Sequence, residues 1–306
     1  MSLGEFETKP LNIDEELVSK IVGLSEKMDP LETLPIYFCP EFVGRFDVKQ
    51  AMLCMLASPW DSVSNRERIH VLLYGHPGSG KTVFLEHLHN DWGAYFSSAD
   101  PRSSALKGDA RRKDRGVQIF QMYNGGVLCF DDIELMEDID TIRDVMESGR
   151  YTITKGGRHD EYTAQCRIVG ATNDFSHMSA AIRTRFDLVF QFDKPPKEDS
   201  VQIWKHILDR EETEETEGIP LEFIKTHIGL SQMWRPSLID KDELVDVMHT
   251  YLSGKDSGED GRWLSSILRI ARSIARIRFC DIGENEIRIA LSMKQFSDKI
   301  MYVDTG

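Results

Sequence analysis

The chain has 306 residues, of which 41% are hydrophobic, 29% charged and 9% aromatic. At roughly 150 residues per domain this is a prior of two domains with a sizeable core, and it excludes collagen-like, disulfide-scaffold and generally disordered chains. Its 37 Lys and Arg against 51 Asp and Glu leave a formal charge of −14, which excludes a surface that is basic all over, so any contact with nucleic acid must be local.

No run approaches the ~18 consecutive apolar residues of a membrane span, and the opening MSLGEFETKP lacks the basic and apolar regions of a signal peptide. A cytoplasmic protein is expected, with no membrane contact. The five cysteines, Cys39, Cys54, Cys129, Cys166 and Cys280, are scattered, with no CxxC pair and no Cys/His cluster of metal-ligand spacing, and read as free thiols.

In chain order, residues 1–35 read as an amphipathic helical lead-in, with Ile13, Leu17, Ile21 and Leu24 at helical spacing and an end near Asp29-Pro30. A second helical pattern runs from Val48 to Leu56. The run IHVLLY (69–74) is short, apolar and rich in β-branched residues, as a buried strand is. Three more such runs follow, VLCFDD (127–132), RIVGAT (167–172) and LVFQF (188–192). Buried strands alternating with helices predict an α/β fold with a parallel sheet covered on both faces. After Pro195-Pro196 only helical patterns remain, at about 198–208, 220–227, 241–252, 261–278 and 287–300, which predicts a separate helical domain. The acidic run DREETEETEG (209–218) between the first two of these reads as a solvated loop.

Between the strand IHVLLY and the helical run TVFLEHL lies Gly75-His76-Pro77-Gly78-Ser79-Gly80-Lys81-Thr82, a match to GxxxxGK[ST] in the context that motif requires. Its glycines let backbone N–H groups and the following helix N-terminus face a β-phosphate; Lys81 can neutralise β/γ charge, and the Thr82 hydroxyl can ligate Mg²⁺. Such a loop needs an acid at the tip of a neighbouring strand. GGVLCFDD supplies Asp131 for the metal and Asp132 to polarise the attacking water. Asn173, at the end of RIVGAT, reads either as a turn residue or as a side chain orienting water. Arg183 and Arg185 read either as surface cations or as a finger presented to a neighbour's γ-phosphate.

Taken together, these segments resemble one family, the minichromosome maintenance (MCM) branch of the AAA+ ATPases. EFVGRFDVKQAMLCML (41–56) resembles the segment that leads into the MCM phosphate loop and lines the adenine pocket, with Val43 in it. GGVLCFDDIELM (125–136) resembles the Walker B run, ESGRYTITKGG (147–157) the presensor-1 hairpin and GATN (170–173) the sensor 1 strand. RTRFDLVF (183–190) resembles the arginine-finger motif, and RWLSSILRIARSIAR (262–276) the sensor 2 helix. The similarity runs in family order from about residue 30 to 280.

The resemblance implies an AAA+ α/β P-loop domain at 36–197 and a helical lid at 198–306. It assigns Lys81 and Thr82 to phosphates and Mg²⁺, Asp131 to the metal and Asp132 to water activation. Asn173 becomes sensor 1, Arg185 the finger donated in trans, Arg262 sensor 2 and Lys155 a contact to the DNA backbone inside a homo-oligomeric ring. The implied function is ATP hydrolysis between subunits, coupled to DNA translocation in replication, in the nucleoid. Three departures matter. Asp132 stands where the family has Glu, the stretches Ser104–Gly125 and Asn173–Arg183 are shorter, and 35 residues cannot hold the family's N-terminal DNA-binding domain. The shortened first stretch carries Arg102, Lys107, Arg111, Arg112, Lys113 and Arg115, a DNA-facing loop or a solvated basic turn. Without that N-terminal domain, which stabilises the family's ring, a monomer in solution is the alternative to a ring. Two alternative functions follow: a nucleotide-binding homologue with weak or no turnover that joins or regulates a replication assembly, and a remodelling ATPase of the MoxR or magnesium-chelatase type.

Overall fold

Side chains of successive strand residues enter two different cores, and this alternation organises the molecule. A computed structural model of the chain describes residues 18–21, 23, 27–59, 67–98, 103–108, 118–136, 139–155, 158–175, 178–194, 201, 204, 205, 208, 219–252 and 261–303. Five parallel strands, β1 (Val71–Gly75), β2 (Tyr95–Ser97), β3 (Val127–Phe130), β6 (Arg167–Thr172) and β7 (Leu188–Phe192), form one sheet in the order β2-β3-β6-β1-β7. Val71, Leu73, Cys129, Val169, Ala171, Leu188 and Phe190 enter one core; Leu72, Leu128, Phe130, Ile168 and Val189 enter the other. With both faces covered, the strands read in the sequence as mostly apolar runs.

The first core is roofed by α1 (Pro30–Tyr37), α2 (Phe46–Ala57) and α3 (Lys81–Trp92), and it continues into helices of the C-terminal part. The second lies under α4 (Ser103–Lys107), α5 (Ile119–Met122), α6 (Asp140–Ser148) and α7 (Ala180–Arg183), beside the antiparallel hairpin of β4 (Arg150–Lys155) and β5 (Arg158–Thr163). Four longer helices follow, α8 (Leu221–Met233), α9 (Lys241–Leu252), α10 (Gly261–Arg278) and α11 (Glu284–Val303). No helix among the described residues is long and apolar enough to cross a membrane.

Two sequence expectations change. The lead-in helix was expected to end near Asp29-Pro30, but a helix begins there. Asp29 accepts a hydrogen bond from the Leu31 N–H at 3.0 Å and Pro30 occupies the first turn, where its missing N–H costs nothing. Strand β2 was not expected, because Tyr95-Phe96-Ser97 is three residues long and half-buried. The acidic run 209–218 lies outside the described residues, as do Arg102 and the basic residues Arg111, Arg112, Lys113 and Arg115.

His70, just before β1, is buried, and its Nδ1 accepts the Ile168 N–H at 3.1 Å. Burial pushes its pKa down to about 3, with Asp187 opposing and the cations Arg68 and Arg269 adding to the fall. Between pH 6.5 and 3 the unfolded chain therefore binds a proton that the folded chain refuses. As pH is lowered through that window, this group removes about 1.4 kcal/mol of stability per unit. His227, buried and also lowered by desolvation, acts in the same direction. Urea unfolding at a series of pH values is expected to show this slope, and His70→Asn is expected to flatten it; an unchanged slope would remove His70 as its source.

Candidate functional site

The register brings three chain turns to one edge of the sheet. Tyr74 lies beside Thr172 and Phe130 beside Gly170, so the residues that follow β1, β3 and β6 leave the sheet side by side at its carboxyl edge. In open parallel sheets this edge is where ligands bind. The loop from Gly75 to Gly80 leaves β1, Asp131 and Asp132 follow β3, and Asn173 follows β6.

The loop conformation depends on glycine at both ends. Gly75 has φ 144°, and a Cβ there would lie 2.1 Å from the Phe192 carbonyl oxygen, which accepts the His76 N–H at 3.1 Å. Gly80 has φ 92°, and a Cβ there would lie 2.4 Å from the ring of Phe42. Between them His76, Pro77 and Gly78 are exposed, and Ser79 donates to the His76 carbonyl at 2.7 Å, closing the turn. Helix α3 starts at Lys81, so its amino end points out through this loop.

Lys81 is buried and donates to the carbonyls of Gly75 at 2.7 Å and His76 at 2.9 Å and to Asn173 Oδ1 at 2.9 Å. Asn173 turns its Nδ2 to Asp132 Oδ1 at 2.8 Å. With an ammonium on one side and a carboxylate on the other, only one orientation of this amide satisfies both partners. Thr82 donates to Asp131 Oδ2 at 2.8 Å. The Asp132 N–H donates to Asp131 Oδ1 at 3.2 Å, so these five residues expected from sequence form one network.

Electrostatics follow from this crowding. Burial lowers the pKa of Lys81, against the opposing charges of Asp131, Asp132 and Glu134. Asp132 is raised, first by desolvation and then by Asp131 and Glu134, with Lys81 and the Asn173 hydrogen bond opposing. Asp132 also sits in the left-handed region at φ 47°, a conformation that turns its carboxylate away from the strand axis toward Asn173.

Glu134 was not singled out from sequence. Its Oε1 accepts the Asn173 N–H at 2.9 Å, and its Oε2 is buried with no hydrogen-bond partner. A third acid two residues beyond Asp132 was the available signal, obscured because the pair Asp131-Asp132 already accounted for the strand end. Phe42 was missed too. Its ring packs on Gly80 and on Phe84 at 4.6 Å, whereas Val43, expected in a nucleotide pocket, is half-buried in the adjoining loop.

The remaining expected residues stand apart from these contacts. Arg185 follows α7 and its guanidinium pairs with Glu147 of α6 at 2.7 Å, in the same chain. Arg183 lies over the Phe175 ring at 5.6 Å. Arg262 is exposed in the first turn of α10. Lys155 ends β4 in register with Arg158, which places it at the tip of the hairpin; Gly156 and Gly157 lie outside the described residues.

A parallel sheet, a strand–loop–helix unit carrying GxxxxGKT and acids at the end of a neighbouring strand define the AAA+ class of α/β P-loop folds. A family model described as the MCM P-loop domain matches residues 17–211, more than half of the chain, and the chain belongs to this family. DNA replication licensing factor MCM7 of Arabidopsis thaliana is 24% identical over 344 aligned positions, covering 98% of this chain and 48% of that protein. An uncharacterised MCM-type protein of Methanocaldococcus jannaschii is 24% identical over 324 positions, covering 92% of this chain and 47% of its own length. DNA replication licensing factor Mcm3 of Drosophila melanogaster is 29% identical over 210 positions, 59% of this chain and 25% of that protein. The chain spans about half the length of the first two. The alignment to the Arabidopsis protein is longer than this chain's 306 residues, so that relative carries insertions within the matched region.

Proposed function

We propose that the chain is the ATPase module of an MCM-type ring acting on DNA, with ATP bound at Gly75–Thr82 and hydrolysed between neighbouring copies. The observation that carries this reading is the contact chain from Lys81 through Asn173 to Asp132. It joins a cation suited to phosphate to an acid suited to water through one fixed amide, and preorganisation of that kind is what phosphoryl transfer requires. Loop N–H groups and the amino end of α3 receive the phosphates, with Lys81 against the β and γ oxygens. Thr82 Oγ1 and Asp131 Oδ2, two hard oxygen donors, suit Mg²⁺, which when bound neutralises phosphate charge.

Asp132 orients the attacking water and takes its proton, and its raised pKa brings it nearer the operating pH of a base. Water oxygen bonds to the γ-phosphorus as the bond to the β–γ bridging oxygen breaks, giving ADP and phosphate. Arg185 from a neighbouring copy stabilises the charge, Arg262 serves as sensor 2, and Lys155 presents one cation per subunit to the DNA backbone. A repeated hairpin cation gives a local positive field in a chain whose net charge is −14.

A second reading, a nucleotide-binding subunit without turnover, is favoured by the ion pair that holds Arg185 on its own Glu147 and by the short arm of Asp132. Steady-state ATP hydrolysis at high protein concentration, with and without single-stranded DNA and beside Arg185→Ala, separates the two. Turnover raised by DNA and lost in Arg185→Ala supports the motor. Background turnover with ATP bound supports the subunit, and turnover indifferent to DNA supports a remodelling ATPase. Asp132→Glu lengthens the arm by one methylene and is expected to raise turnover on the order of ten-fold, since misplacement by ~1 Å costs up to ~10²-fold. A decrease in phosphate release by that variant would mean that the site is built around the shorter acid.

A further inference from the structure

Four side chains of types that can ligate a metal gather beside α3, at a place the proposed ATP site does not use. After α1 the chain turns sharply, with Cys39 in the left-handed region at φ 51° and the Phe42 N–H donating to its carbonyl at 3.0 Å. This turn brings Cys39 and Glu41 to His87, and one ligand atom from each of the three lies within 4.8 Å of the others. Asp91, one turn after His87 and therefore on the same face of α3, adds a fourth donor.

The imidazole is the revealing group. His87 is 2% exposed, and its Nδ1 lies 2.8 Å from Glu41 Oε1 and 2.8 Å from Asp91 Oδ2, yet neither ring nitrogen makes an aligned hydrogen bond. Two carboxylate oxygens on one buried imidazole nitrogen, with a thiol within 4.8 Å of the group, is how the donors of a coordination site lie with respect to one another.

We propose that Cys39, Glu41, His87 and Asp91 bind a divalent transition-metal ion of the zinc type. Sulfur and imidazole donors select zinc or cobalt over Mg²⁺ and Ca²⁺, and four donors complete a closed tetrahedral site of the structural kind. The charges balance. Lys49, buried and electrostatically coupled to Cys39 and Glu41, contributes one positive charge, so a thiolate, two carboxylates, an ammonium and a dication sum to zero. On coordination the Cys39 thiol gives its proton to solvent.

The ion ties the loop after α1 to the P-loop helix. Glu41 precedes Phe42, whose ring lies against Gly80, so the clamp fixes one wall of the Gly75–Thr82 loop from behind. Sequence spacing does not reveal the cluster, because His87 lies 46 positions after Glu41.

The test is a Co²⁺ titration of the purified, nucleotide-free chain, read by absorption and followed by displacement with Zn²⁺. The expected result is one equivalent bound, with a thiolate-to-cobalt charge-transfer band that an oxygen-only Mg²⁺ site cannot give. Cys39→Ser is expected to lose the band and His87→Gln to weaken binding at least about ten-fold, while Cys280→Ser leaves both unchanged. Asp91 is 38% exposed, so Asp91→Asn folds without a core defect and is expected to weaken Co²⁺ binding about ten-fold. Absence of stoichiometric uptake, a band that survives Cys39→Ser, or affinity unchanged in Asp91→Asn overturns the site and leaves a histidine–carboxylate cluster. None of these readings depends on ATP binding.

Discussion

Lys81→Ala is expected to bring ATP hydrolysis to background, a loss of at least about 100-fold, the size associated with removing one preorganised donor to a developing anion. The structure says why the effect should exceed that of a lost surface charge. All three protons of the ammonium are engaged, by the carbonyls of Gly75 and His76 and by Asn173 Oδ1. In the proposed ATP complex, a phosphate oxygen would take the place of one of these acceptors, with the ammonium already at the loop. Truncation removes the cation and also frees Asn173, whose other end holds Asp132. Phosphate release and binding of a fluorescent ATP analogue should fall together while the melting temperature changes little. Turnover within ten-fold of the parent would place the nucleotide elsewhere.

What was legible in the sequence was local. RIVGAT and LVFQF match β6 and β7 residue for residue, because strands covered on both faces are mostly apolar, with Arg167, Thr172 and the exposed Gln191 as the polar positions. The phosphate loop was legible for a related reason: its backbone demands are met by glycine at fixed offsets, and Gly75 and Gly80 are where a side chain would collide. The orientation of the acids was not legible. Thr82 and Asp131 are 49 residues apart, and only the sheet order β3-β6-β1 brings their strand ends together with Asn173 between them. Glu134 and Phe42 became visible only through their contacts. Arg185 shows the limit most clearly. A motif identifies the residue, but its partner Glu147 comes from a helix 38 residues earlier that no spacing rule connects to it.

Asp187→Asn is expected to cost about 3–5 kcal/mol of stability, the range for removing one partner of a buried ion pair. Asp187 is 2% exposed and immediately precedes β7. Its carboxylate accepts the His70 N–H at 3.0 Å, the Ser266 hydroxyl at 2.8 Å and the Arg269 guanidinium at 3.0 Å, while its carbonyl accepts Lys294 Nζ at 2.8 Å. One residue therefore joins the entry to β1 with α10 and α11. Burial raises its pKa, but Arg269, His70 and the hydrogen bonds outweigh that and hold it below the ordinary aspartate range. His70 is itself uncharged at neutral pH, which leaves Arg269 as the cation responsible. The sign follows: this contribution is present above the unfolded pKa near 3.9 and is lost as pH falls through the lower folded value. An amide at 187 presents an N–H₂ group either to the His70 N–H or to Arg269, and no rotamer satisfies both. Calorimetry should show a melting temperature lower by roughly 10 °C, and Arg269→Met in the same chain should recover part of the loss, because the charge left unpaired is then gone. Arg262, Ser266 and Arg269 lie at positions i, i+4 and i+7, on one face of α10. Releasing Asp187 therefore frees the face that carries Arg262, and ATP affinity should fall with stability in Asp187→Asn. Full affinity in a destabilised variant would mean that Arg262 takes no part in binding.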